Sequence, residues 1–252
     1  MPRGNRYIVP GCCHHLTHRC HNREFLLKFA RDRDQYQERL RRTLAEVDVG
    51  LLQFTVTSNH IHLLLAPSNT TTEVSRLMQR VQGQHALSYN KRRERHGAFW
   101  EDRYHVTMVE SGLHLWRCLA YIDLNMVRAG QVTHPREWPW TGYHELMGLR
   151  RRYRQIDLDR VVMATGARDI GEFRQHYAEA IEQRLTCGPC PREPAWTETL
   201  AVGTLEFVDA MSSRLSHRRR LDASQLDSAA DLWTLRELPP AYEADLGVEN
   251  RP

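Results

Sequence analysis

Four short stretches in the N-terminal half of the chain read as strands: Cys12 to His18, Leu51 to Thr57, Ile61 to Ala66 and Tyr104 to Val109. They are bounded by turn formers, and in the last of them Val106 and Met108 alternate with His105, Thr107 and Val109. Helical spacing occupies the stretches between. One helix is expected from about Glu24 to Val47. A second opens at the capping residues Thr71 and Thr72 with Glu73, places Leu77, Val81 and Leu87 on its apolar side, and ends in the basic run Lys91 to Arg95. A third spans Leu115 to Gly130, with Leu115, Leu119, Ile122 and Met126 as the stripe that faces a core. The order strand, helix, strand, strand, helix, strand is that of a split β-α-β unit, so the chain is expected to be α+β and ferredoxin-like around a central antiparallel sheet. The tight link Ser58-Asn59 sets the Ile61 strand beside Leu51 to Thr57, in the middle of that sheet.

After Tyr143 the pattern changes to helical segments broken by Gly- and Pro-containing stretches, with helices expected at Asp157 to Ala164, Ile170 to Leu185 and Leu205 to Leu215 and a linker at Gly188 to Pro194. This predicts a C-terminal helical appendage. The division is a first domain over 1–148, a helical accessory region over 149–221, and an acidic tail over 222–252 that contains Pro239-Pro240 and is expected to be poorly ordered.

At 252 residues the chain is long enough for a sizeable core in either arrangement. Its formal net charge of +4 matters less than its distribution, because basic clusters occur at Arg39 to Arg42, Lys91 to Arg95, Arg150 to Arg154 and Arg218 to Arg220. Each alone suits a solvated helix face, while four together suit a phosphate backbone. No apolar run approaches the roughly 20 residues that span a bilayer, and no hydrophobic segment follows Met1-Pro2-Arg3-Gly4-Asn5-Arg6, so a cytoplasmic location is expected. The six cysteines are irregularly spaced, as reduced thiols would be, and Cys187-Gly188-Pro189-Cys190 reads as a linker turn. There is no internal repeat and no Gly-rich phosphate loop, which leaves nucleotide hydrolysis unsupported.

The candidate chemistry lies in two short patterns. In Asn59-His60-Ile61-His62-Leu63, strand alternation sends His60 and His62 to one face while Ile61 and Leu63 hold the other. Two imidazoles on a rigid sheet can share one divalent cation, or can simply hydrogen-bond within a half-buried strand. In the Leu115 helix, Tyr121 and Asn125 are an i,i+4 pair beside the apolar stripe, so a phenol and an amide can serve one site. The richer cluster Cys12 to His21 matches no zinc module. Alternation puts Cys13, His15 and Thr17 on one face and His14, Leu16 and His18 on the other, the pattern of an ordinary first strand.

Taken together, SNHIHLLL, GAFWEDRY at Gly97 to Tyr104, AYIDLNMVRAG, and EWPWTGY at Glu137 to Tyr143 resemble one group, the REP-associated tyrosine transposases. These are relatives of the single-tyrosine IS200/IS605 transposases in the histidine-hydrophobic-histidine superfamily. The resemblance runs from about His15 to Tyr143 and includes Arg19 and Asn22-Arg23 after the first strand. It implies that His60 and His62 are metal ligands, that Asn125 is the third, and that Tyr121 is the nucleophile. The implied cofactor is a divalent metal, Mg²⁺ or Mn²⁺. The implied substrate is single-stranded DNA near hairpins of repetitive extragenic palindromes, cleaved and transferred through a 5′-phosphotyrosine by a monomer or homodimer. Arg19 and Arg23 follow the family pattern, and Lys91, Arg92, Arg93, Trp100 and Arg103 are basic or aromatic residues suited to a strand or a hairpin stem. The family usually has proline where this chain has Met126, which leads us to expect a helix running more regularly past Asn125. Other readings are a non-catalytic hairpin-binding protein, or a replication initiator or relaxase of the same superfamily.

Overall fold

The computed structural model describes residues 8–67, 71–188, 191–215 and 220–238. Its first part follows the expected order: β1 (Cys13–Arg19), α1 (Ala30–Leu44), β2 (Val49–Val56), β3 (His60–Pro67), α2 (Thr71–Arg92) and β4 (His105–Val109). The strands are antiparallel and ordered β2-β3-β1-β4, as a ferredoxin-like sheet requires, so the His60–His62 strand is an interior strand. Tyr36 and Leu40 of α1 and Leu77, Met78 and Val81 of α2 are buried with Phe54, Ile61 and Leu63 in the main core.

Helix α1 starts at Ala30 rather than near Glu24, and tertiary hydrogen bonds explain the delay. Residues 20–29 are latched to the β2–β3 turn, with Cys20 N donating to Asn59 O (2.7 Å), Leu27 N to Ser58 O (2.9 Å) and the Arg33 guanidinium to Leu27 O and Lys28 O (both 2.9 Å). Bonds to another segment replace the helical ladder here.

The tyrosine helix also differs from its expected single span. It divides into α3 (Leu113–Asp123) and α4 (Asn125–Arg128), broken at Leu124. The carbonyl of Tyr121, which a continuous helix would pair with the Asn125 amide, accepts instead from Arg128 Nη2 at 2.7 Å. The helix therefore turns at Leu124, between Tyr121 and Asn125, even without a proline at Met126.

The stretch Glu137 to Tyr143 closes the outer edge of β2, which would otherwise expose unpaired backbone. Val56 N donates to Trp140 O (2.9 Å), Gly142 N to Phe54 O (2.8 Å) and Trp138 Nε1 to Val56 O (3.0 Å). Gly142 is required by this close approach, because a Cβ there would lie 1.9 Å from Gln53 Oε1 and 2.6 Å from Ile156 Cδ1. The same stretch pins α3. Asp123 is fully buried and accepts from Gln53 Nε2 (2.7 Å), from Tyr177 Oη (2.6 Å) and from the Thr141 hydroxyl. Burial pushes its carboxyl up to about 7 against the opposing pull of those donors. Replacing Asp123 with alanine strands three buried donors, so unfolding in urea is expected to show a loss of about 3 kcal/mol.

Beyond Gly142 come α5 (Tyr143–Leu146), α6 (Leu158–Thr165), α7 (Ile170–Thr186), α8 (Ala195–Glu198), β5 (Ala201–Gly203), α9 (Leu205–Leu215), β6 (Leu221–Asp227) and β7 (Leu232–Glu237). The three longer helices fall within about a residue of their expected spans. The appendage, however, is not only helical: β5 pairs parallel with β4, and β7 and β6 follow antiparallel, extending the sheet to seven strands. The hairpin corrects the expectation of disorder for residues 222–238. Leu221–Asp227 is largely exposed and Ala201–Gly203 is very short, so neither carries a period-two apolar signal. Pairing with β4 and packing of α9 supply what the local sequence lacks, with Met108, Ala201, Val208, Met211 and Leu235 in a second core cluster. Residues 239–252, Pro189-Cys190 and Arg218-Arg219 lie outside the described residues.

Candidate functional site

The register of β1, β2 and β3 gathers one polar face of the sheet. Thr17 and Thr55 flank His62, and Arg19 stands opposite His60. The alternation expected from the sequence holds, since Ile61 and Leu63 are buried in the core on the opposite side. The two imidazole centroids are 5.0 Å apart and nearly perpendicular.

Each imidazole is held by its Nδ1. His60 Nδ1 donates to Asn59 Oδ1 (2.7 Å) and lies 2.9 Å from the Thr57 hydroxyl oxygen, whose own proton goes to His60 O (2.8 Å). His62 Nδ1 lies 2.8 Å from His15 Nε2, and His15 Nδ1 lies 2.8 Å from the carbonyl oxygen of Trp196. A carbonyl can only accept, so His15 carries its proton on Nδ1 and presents Nε2 as an acceptor, which fixes the proton of His62 on Nδ1. The result is two Nε2 lone pairs left for a shared target. Asn125 is there: its amide nitrogen donates to His62 Nε2 at 3.0 Å and the side chain also reaches His60.

Burial keeps these rings neutral. It lowers His60 to about 4, with Arg19, Arg128 and Arg192 adding to the effect, lowers His15 to about 3, and drives His62 well down. Neutral imidazole is the form that binds metal. Two imidazoles and an amide fit a divalent ion that keeps room for phosphate oxygens and water. Among the described residues no three His, Cys, Asp or Glu side chains are grouped to hold a metal.

Tyr121 closes the cluster. Its ring lies 6.0 Å from His62, 6.1 Å from His15 and 6.2 Å from Trp196, and the Arg128 guanidinium sits 4.1 Å from its centroid. Burial raises the phenol, and the nearby charges of Arg128 and Arg192 pull it back down. The structure thus brings His60, His62, Tyr121 and Asn125 together, although a helix break separates the last two.

The other residues singled out in the sequence are dispersed around the same end of the fold. Arg19 lies 3.9 Å from Glu101, and the Arg23 carbonyl accepts from Asn59 Nδ2 at 3.2 Å. Trp100 is half-buried, stacked on His18 at 4.4 Å, with its Nε1 donating to Gln82 O (3.2 Å). Arg92 is engaged with Asp32 and Gln35 of α1, and Arg93 lies 3.8 Å from Asp32, whereas Lys91 and Arg103 are exposed. Sequence reading missed His15, Trp196, Arg128 and Arg192. His15 was passed over as an ordinary strand residue because its role depends on cross-strand register and on a carbonyl 181 positions away.

A ferredoxin-like sheet here carries paired histidines beside a helix-borne tyrosine. The family described as "Transposase IS200 like" matches residues 8–125. A solved structure described as a REP-associated tyrosine transposase bound to a REP hairpin is similar in fold, with a TM-score of 0.51 and 16% identity over 60% of this chain and 89% of that one. A candidate transposase from Deinococcus radiodurans R1 aligns at 17% identity and a TM-score of 0.34, covering 52% of this chain and 98% of that one. None of the curated proteins matches the chain. No helix among the described residues is long and apolar enough to cross a membrane.

Proposed function

We propose that this transposase is a metal-dependent single-stranded DNA endonuclease and strand transferase of the REP-associated type, acting at hairpin DNA through Tyr121. The observation that carries the reading is the convergence of His60, His62 and Asn125 on one point beside the Tyr121 ring. The fold likeness to a transposase bound to a REP hairpin supports the substrate class. A divalent cation held by His60, His62 and Asn125 would withdraw charge from the non-bridging oxygens of the scissile phosphate.

The remaining chemistry belongs to side chains. The Tyr121 oxygen attacks phosphorus, the bond to the 3′ oxygen breaks, and a 5′-phosphotyrosine and a free 3′-hydroxyl result. A phenol of unperturbed pKa about 10 must lose its proton during attack, and the positive charges of Arg128 and Arg192 favour the phenolate. Another 3′-hydroxyl can then displace the tyrosine, so bond energy is kept and strands are joined without an external energy source. One such tyrosine per chain means a full cycle uses one site twice or two subunits.

Replacing both His60 and His62 with alanine is expected to abolish cleavage of hairpin DNA in Mg²⁺ or Mn²⁺ while lowering hairpin affinity less than about tenfold, because phosphate contacts elsewhere carry most of the affinity. Electrophoretic cleavage and gel-shift assays on one hairpin measure both. Wild-type protein that binds hairpins and cleaves none, whatever the divalent ion, would leave a non-catalytic binding protein instead.

A further inference from the structure

Two phenylalanines stand out of the surface on the loop that is bonded to the turn before His60. Phe25 is 65% exposed and Phe29 is 54% exposed, while their neighbours Leu26 and Leu27 are buried. Exposed apolar side chains rimmed by polar residues mark interaction sites. The loop that presents them is firmly held, since Leu27 N bonds Ser58 O (2.9 Å), Lys28 N bonds Phe25 O (3.1 Å) and Arg33 clasps two of its carbonyls. It also opens with Asn22 and Arg23 in the left-handed region, at φ 50° and 59°. Such backbone costs energy and persists only where surroundings enforce it. Ser58 and Asn59, which anchor the loop, directly precede His60.

The charge around the rings selects an occupant. The Arg93 guanidinium lies 5.0 Å from the Phe29 centroid and 3.8 Å from Asp32, Arg23 and Lys28 share the loop, and Glu24 is 3.9 Å from Arg95. Exposed phenyl rings with cations near them suit unpaired bases on a phosphate chain, where the rings stack and the cations meet phosphate. A protein partner would gain from the phenyls but not from this excess of arginine and lysine.

We propose that Phe25 and Phe29 form a stacking platform for unpaired nucleobases of the strand that enters the His60–His62 site. The inference rests on the DNA-processing reading above and names where the single-stranded part of the substrate sits. Both rings are solvent-facing, so their truncation leaves the core intact.

The test uses the full chain in EDTA and a single-stranded oligonucleotide carrying 2-aminopurine, with a blunt hairpin lacking any single-stranded extension as control. Wild-type protein is expected to quench the fluorescence. Phe25→Ala with Phe29→Ala is expected to abolish quenching and weaken single-strand binding about tenfold or more, leave blunt-hairpin binding unchanged, and melt at the wild-type temperature. Phe25→Trp, which keeps a stacking face, is expected to retain both quenching and affinity. The platform is overturned if wild type does not quench, if the double variant binds and quenches like wild type, or if single strand and blunt hairpin weaken equally. Absence of cleavage or of hairpin preference by wild type would instead count against the proposed function, since stacking on an unstructured strand needs neither.

Discussion

Wild-type protein is expected to form a denaturation-resistant adduct when incubated with single-stranded hairpin DNA and Mg²⁺ or Mn²⁺, and phenylalanine at Tyr121 is expected to eliminate it. The substitution removes one oxygen and keeps the ring that packs among His15, His62, Trp196 and Arg128. Loss of the adduct would therefore report chemistry and not collapse of the site. Hairpin binding, carried by phosphate contacts, should survive. Denaturing gels on end-labelled DNA read the adduct directly, and its persistence in the variant would move the nucleophile to another residue.

The second large effect is expected from His15, which would touch neither DNA nor metal. His15→Phe deletes the acceptor for His62 Nδ1 and the donor to the Trp196 carbonyl, so His62 loses both its fixed tautomer and its ring orientation. Partners of ligating histidines typically contribute 10- to 100-fold to metal affinity, and a loss of about that size is expected for Mn²⁺ binding measured by calorimetry without DNA. His15→Gln offers an amide oxygen to His62 and an amide N–H to Trp196, and should recover part of the loss. Equal affinity in wild type and His15→Phe would reduce this contact to packing.

The contrast between His60–His62 and His15 shows what kind of information each level holds. Strand alternation is local, so the shared face of His60 and His62 was legible from the sequence, and the helical period likewise placed Tyr121 beside Asn125. The ferredoxin-like order and helices α6, α7 and α9 could be read in the same way, because each has a strong apolar period of its own. The strands β6 and β7 could not: Leu221–Asp227 is polar and exposed, and becomes a strand only because β7 offers it a backbone edge. Nor could the break at Leu124, which depends on Arg128 competing for the Tyr121 carbonyl.

By itself, then, the sequence determined that His60 and His62 share a face, that Tyr121 and Asn125 lie a turn apart, and the order of the sheet that holds them, since each follows from spacing along the chain. Only the tertiary structure decided which proton His62 keeps, which residues cap the tyrosine, and that a region beyond residue 190 takes part through Trp196. Those features depend on register between strands and on contacts between distant segments. Such contacts are set by the packing of the whole molecule, and no local period in the chain encodes them.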